Sequence, residues 1–155
     1  MNSTNANILK PVISLKHMRR NNDPLGDAIT RIRNGYIRSF DSIIVPKSNK
    51  ILHLLNTLIR SGYILHYESF LEGAASVKVY LKYHNSLPAI QNIQRVSVPS
   101  KRVYLSKKKL KQHSKTQGWG LTKTMVLSTS SGVLTHQEIL KSSNSMGGES
   151  ICLVW

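Results

Sequence analysis

Between Asp23 and Tyr83 the apolar residues switch repeatedly between helical and strand spacing. The resulting helix-strand-helix-strand-strand unit can close as an α/β layer. Asp23-Pro24 supplies an N-cap with proline at the first helical position, and Asp27 suits the positive end of a helix. Leu25, Ala28, Ile29, Ile32 and Tyr36 then recur at helical spacing, with Gly35 placed to close the helix. Ser42-Ile43-Ile44-Val45 reads as a strand ended by Pro46, and Ser48 or Asn49 can cap a second helix. Its apolar face is Ile51, Leu54, Leu55, Leu58 and Ile59, and Gly62 is its stop. Two strands come next, Tyr63 to Phe70 and Val77 to Tyr83, the second alternating apolar residues with Lys78, Tyr80 and Lys82.

Leu87-Pro88 marks residues 85–92 as a linker. Ile93 to Val98 and Arg102 to Leu105, joined by Pro99-Ser100, predict a hairpin. Lys107 to Ser114 is compatible both with a short basic helix and with a loop. Gly118-Trp119-Gly120 is a permissive turn, Met125 to Leu127 lead as a strand into Ser128, Thr135-x-x-Glu138 has capping-box spacing, and Ser150 to Trp155 is a final strand. The expected class is α/β (α+β) in two small domains: a basic extension over 1–22, an α/β domain over 23–84, and a mainly β domain with short helices over 93–155.

The 155 residues can bury one ordinary core or two small ones, and the net charge of +15 creates a field that draws polyanions. That charge is unevenly placed. From Gly73 through Gln137 there is no Asp or Glu, against eleven Lys and Arg. Self-repulsion on that scale costs stability unless a polyanionic partner neutralises it. The single cysteine, Cys152, excludes an internal disulfide or a thiolate metal cage and is expected in the core. Neither a membrane-length apolar run nor a signal-peptide pattern is found, so an intracellular, soluble protein is expected, with no membrane partner. Residues 1–22, with four cations and no acid, fit a mitochondrial-type presequence and a basic arm equally.

The stretch from Leu127 to Glu149 carries the functional chemistry. Ser128-Thr129-Ser130-Ser131-Gly132 and Met146-Gly147-Gly148-Glu149 offer hydroxyls, backbone amides and glycines, groups that dock onto a phosphate-rich surface without filling the space a backbone must enter.

At this point the chain resembles the bacterial-type small-subunit ribosomal protein eight family. The likeness rests on Asp23-Pro24-Leu25 with Thr30-Arg31-Ile32-Arg33-Asn34-Gly35, Val45-Pro46 with Ser48, Gly62-Tyr63-Ile64, and Leu81-Lys82-Tyr83. It continues through Arg95-Val96-Ser97 with Pro99, Arg102-Val103-Tyr104, Ser128-Thr129-Ser130 with Gly132-Val133-Leu134-Thr135, and Gly147-Gly148-Glu149. The resemblance implies a structural constituent of the small ribosomal subunit that binds the central domain of its rRNA, adjoins other small-subunit proteins and supports assembly and translation. It implies no cofactor, no metal and no small-molecule substrate. Carried onto this chain, its RNA-contacting positions are Ser128, Thr129, Ser130, Tyr104, Gly148 and Glu149. The candidate RNA-binding set extends to Gly132, Thr135, Gly147, Lys101, Arg102, Arg31, Arg33 and Lys47. Small hydroxyls and backbone amides suit the shallow groove of an A-form helix, and Tyr104 suits stacking.

The chain departs from the family pattern in two places. Ser131, His136, Gln137, Ile139 and Leu140 stand where the family carries a lysine and an acidic-basic helix, so Ile139 and Leu140 are expected to face a protein neighbour. The path from Tyr104 to Ser128 is longer and lysine-rich, which with the basic arm implies an organellar ribosome, mitochondrial before plastid or bacterial. An RNA-processing enzyme is the rival from another class, but a metal nuclease needs clustered carboxylates and Ser128 with His136 lacks an orienting acid. A free RNA-binding regulator is the other alternative.

Overall fold

The computed structural model describes residues 23–69, 75–116, 119, 122–143 and 146–155. The first helix, α1 (Pro24–Ile37), buries Ala28, Ile29, Ile32 and Tyr36 along the expected stripe. Its ends differ from the sequence expectation. The Asp23 side chain caps nothing in α1 and instead pairs with Arg95 at 3.3 Å, while Gly35 lies inside the helix. A Cβ on Gly35 would sit 2.7 Å from Ile43 and 2.8 Å from Leu81, so close helix-on-sheet packing selects that glycine. Ser39, at φ 53°, turns the chain away.

Strand β1 (Ser42–Pro46) leads to α2 (Asn49–Arg60), where the Ser48 hydroxyl accepts from the Ile51 amide at 3.3 Å. Gly62, at φ +79°, ends that helix where most other residues would be strained. Strands β2 (Ile64–Ser69) and β3 (Ser76–Leu81) complete an antiparallel sheet of order β1-β3-β2, with α1 packed on β1 and β3 and α2 on β2. Phe70 and the acidic and small residues Glu72-Gly73-Ala74 between the two strands lie outside the described residues.

Part of the expected linker is ordered. Strands β4 (Tyr83–His84) and β5 (Leu87–Pro88) pair across Asn85 and Ser86, whose φ values of 48° and 65° make the tight turn that matches strand twist. Ile90, only 1% exposed, then anchors the chain in the core ahead of the second sheet.

That sheet contains β6 (Ile93–Arg95), β7 (Tyr104–Leu105), β8 (Thr124–Thr129), β9 (Gly132–Thr135) and β10 (Gly148–Val154). Its order is β6-β10-β8-β9, with β7 also on β10. The hairpin expected over 93–105 is therefore corrected: a turn does form, with Val98 and Lys101 bonded reciprocally, but β6 and β7 each pair with β10 instead of with one another. Ser97 and Val103 continue those pairings through the backbone of Ser150. Helix α4 (His136–Lys141) packs on β8 and β9, α3 (Lys107–Thr116) packs against α4, and Thr135 with Glu138 forms the reciprocal capping box expected.

Residues along β8 alternate between two cores. Val126 joins Ile151, Cys152 and Val154 in a cluster continuous with Ile29, Leu54 and Val79 of the first unit. Met125 and Leu127 face the opposite way, into a cluster with Leu110, Trp119 and Ile139. The second sheet is thus covered on both faces, and each fully buried Leu or Ile contributes about 1.5–3 kcal/mol. Polar ties lock the units together: Thr57 to the Val133 carbonyl at 3.0 Å, Tyr63 with Thr124 at 2.7 Å, and Arg60 with Glu138 at 3.0 Å.

Candidate nucleic-acid interface

The start of β10 is clasped between two strands. Glu149 opposes Tyr104 on one side and Ser128 on the other, so three residues distant in sequence form one row across the sheet. The two preceding glycines make this possible. A Cβ on Gly148 would lie 2.3 Å from the Ser128 carbonyl oxygen, and one on Gly147 would lie 2.6 Å from that of Leu105. The backbone that these glycines admit is the protein's own. That corrects the sequence reading, in which they left room for an incoming ligand.

The other edge of the row is the β8–β9 turn, where Thr129 and Gly132 pair across Ser130 and Ser131. Thr129 donates its hydroxyl proton to the Gly132 carbonyl at 2.8 Å and accepts from the Ser131 amide at 3.2 Å, so it shapes the turn. Gly132 has φ +115°, a left-handed conformation that the turn requires. Ser130 and Ser131 are exposed, their hydroxyls facing the Met146 sulfur at 3.9 and 3.2 Å. Tyr104 is 67% exposed although it lies in a strand. With Ser106, Lys109, Ser128 and Gly148 it lines a shallow, open depression.

Beneath this ledge Glu149 is fixed. Its Oε1 accepts from the Ser97 hydroxyl at 2.5 Å and from the Arg102 guanidinium at 2.6 Å. Partial burial works against its ionisation, but the Ser97 and Arg102 hydrogen bonds and the Arg102 charge outweigh it and hold the carboxyl below its ordinary range. Glu149 reciprocally raises the Arg102 pKa, so this pair ties the 97–103 turn to β10 in its charged form. Lys50, Arg95 and Arg102 surround a second small recess against the same carboxylate.

A family model described as ribosomal protein S8 matches residues 23–155. The chain belongs to that family. It is similar to the small ribosomal subunit protein uS8 of Bartonella tribocorum, with 40% identity over 135 residues that cover 86% of this chain and 97% of the relative. The uS8 proteins of Dictyoglomus thermophilum and Buchnera aphidicola are 37% and 40% identical, over 134 and 132 residues covering 97% and 96% of those chains.

In this S8-family member the candidate residues fall into two groups. Tyr104, Ser128, Thr129, Ser130, Gly132, Gly147, Gly148, Glu149 and Arg102 come together at the ledge, and Lys101 is exposed in the adjoining turn. The others lie apart from that row. Thr135 is buried in the capping box at the far end of β9. Arg31 bonds Asp27 at 2.9 Å and the Ile44 carbonyl at 3.3 Å, Arg33 bonds the Ile93 carbonyl at 2.7 Å, and exposed Lys47 sits where β1 leads into α2. Ile139 is fully buried in the second core and Leu140 packs against it, which overturns the expectation that they face a protein neighbour. His136 is also buried, its Nδ1 accepting from the Met125 amide at 3.1 Å, so that ring atom is already engaged and cannot act as a base for Ser128. Lys50 and Lys109 join the site without having been singled out by sequence. Lys109 was legible only as part of a lysine run, and Lys50 had no local signal.

Proposed function

We infer that this S8-family protein is a structural, non-enzymatic constituent of the small ribosomal subunit, and that its ledge grips a helical segment in the central domain of small-subunit rRNA. The observation that carries this reading is the row of exposed Tyr104 with part-buried Glu149 and Ser128, bordered by exposed serine hydroxyls and by Lys101, Arg102 and Lys109. Tyr104 offers a face for an unpaired base or ribose, worth about 1–3 kcal/mol per stacked base. Ser128 and Ser130 donate to phosphate or 2′-hydroxyl oxygens, and the anchored Glu149 positions Arg102 while offering its second oxygen to a base amino group or 2′-hydroxyl. Adjacent small-subunit proteins are the expected neighbours, and the outcome is support of subunit assembly and translation.

The test is a titration of wild-type protein and the Tyr104→Ala/Ser130→Ala variant against a transcribed central-domain fragment and an equal-length fragment from another rRNA domain. A loss of about 2–4 kcal/mol, confined to the central-domain fragment and without unfolding, is expected from lost stacking and hydrogen bonding. Equal affinity of both proteins removes the ledge as the site.

The finer location proposed is the mitochondrial ribosome, supported by the basic, acid-free residues 1–22 and the lysine-rich 105–127 segment. The relatives compared are bacterial. Recovery of the tagged protein with mitochondrial small subunits supports this location, whereas recovery away from any ribosomal particle favours a free RNA regulator.

A further inference from the structure

Helix α3 is pinned along one side by the described residues. Leu110 is 0% exposed in the second core, the Lys107 ammonium bonds the Ser142 carbonyl, His113 stacks on Trp119 with ring centroids 5.1 Å apart, and Ser114 bonds the Trp119 carbonyl at 3.1 Å. Positions 107, 110, 113 and 114 therefore face inward, leaving Lys108, Lys111 and Lys115 as one exposed stripe, with exposed Lys109 on the other flank of the helix, over the ledge depression.

Among the described residues no acidic side chain pairs with Lys108, Lys111 or Lys115. Lys111 and Lys115 repel at i,i+4, and three lysines occupy the first turn, where the helix dipole disfavours cations. The chain has only two acidic side chains after Gly73, and both are engaged elsewhere: Glu138 with Arg60, Glu149 with Arg102. A packed helix that bears such repulsion is complementary to an external polyanion.

We propose that the outward face of α3 is a phosphate rail that holds the backbone of the same rRNA on the flank of α3 away from the ledge depression; this extends the ledge reading. Lys108 to Lys115 spans roughly 10 Å of helix axis. Lys108, Lys111 and Lys115 stand about 4.5 and 6 Å apart along that axis, so each flexible ammonium can meet its own backbone phosphate. The contact is to backbone, and it adds affinity without sequence preference.

The experiment measures affinity for the central-domain fragment across a salt series. Lys108→Gln/Lys111→Gln/Lys115→Gln keeps helix propensity nearly constant while removing the charges. Each neutralised phosphate contributes about 0.9 to the slope of log affinity against log salt, so this variant should be less steep than wild type by about 2–3. A control, Arg38→Gln/Lys78→Gln/Lys82→Gln, removes equal charge from the first unit and should change the slope by less than about 1. The ledge variant Tyr104→Ala/Ser130→Ala should weaken binding at every salt concentration with the wild-type slope. A wild-type slope in the α3 variant, or equal flattening by the control, overturns the rail. If the α3 variant flattens the slope while the ledge variant binds normally, the rail stands and the ledge reading fails.

Discussion

Gly148→Ala probes the architecture of the site at one atom. The added methyl would lie 2.3 Å from the Ser128 oxygen and 3.0 Å from its carbonyl carbon. Close carbon-to-oxygen contacts are normally about 3.3 Å, so β10 and β8 must part by about 1 Å. Both obstructing atoms are backbone, and β10 is bracketed on its other side by β7. Overpacking of this kind costs about 1–3 kcal/mol. Weakening the ladder beside Glu149 and Ser128 adds about 1 kcal/mol. The smaller entropy of the unfolded alanine chain returns about 0.4–1 kcal/mol. The expected net loss is about 2–3 kcal/mol, or roughly 5–10 °C in Tm for a chain of this size. Urea and thermal unfolding measure it, and rRNA affinity should fall with it because the row from Tyr104 to Ser128 is pried open. Gly26→Ala is the control: its methyl would meet Asp23 Oδ2 at 2.5 Å, but that is the tip of a side chain that can rotate, and alanine favours the helix by about 1 kcal/mol. A Gly148→Ala protein as stable as wild type would refute the claim that these glycines serve strand approach.

Three further outcomes are expected. Leu110→Ala should cost about 2–5 kcal/mol by opening a cavity under α3, measured by urea unfolding, and should also flatten the salt dependence of rRNA binding as the helix loosens. Burial holds His136 below its ordinary pKa, so below about pH 6.5 the unfolded chain takes up a proton that the folded chain resists. Stability should therefore decline as pH falls from about 7.5 to about 5.5, more steeply in wild type than in His136→Asn; equal Tm slopes would contradict this. Cys152, fully buried with its thiol pushed up to about 12, should resist alkylation in the native protein and react once denaturant unfolds it, and rapid native labelling would disprove that placement.

The elements of the first unit were legible because their signals are local. Pro24, Ser48, Gly62 and the 3.6-residue stripes each act within a turn or two of chain, where steric and hydrogen-bonding rules need no distant partner. Signals shared between helix ends and packing were misread. Gly35 looked like a helix stop, yet it is there for Ile43 and Leu81. Asp23 looked like a cap, yet its carboxylate goes to Arg95, far along the chain in the second unit. The 93–105 hairpin failed for the same reason, since strand periodicity says which residues pair but not with whom.

Sequence by itself determined the helix and strand periods, the cap at Thr135, the cationic second half and the hydroxyl-rich stretch that became the ledge, because these arise from neighbouring residues or from simple charge counting. Tertiary structure alone decided that Tyr104, Glu149 and Ser128 share a row, that Gly147 and Gly148 accommodate the protein's own strands, and that Ile139 and His136 are core. It also chose which lysines of α3 face outward. The physical reason is common to all four: each depends on which long-range surface packs against a segment, and that is set by the burial of the whole chain.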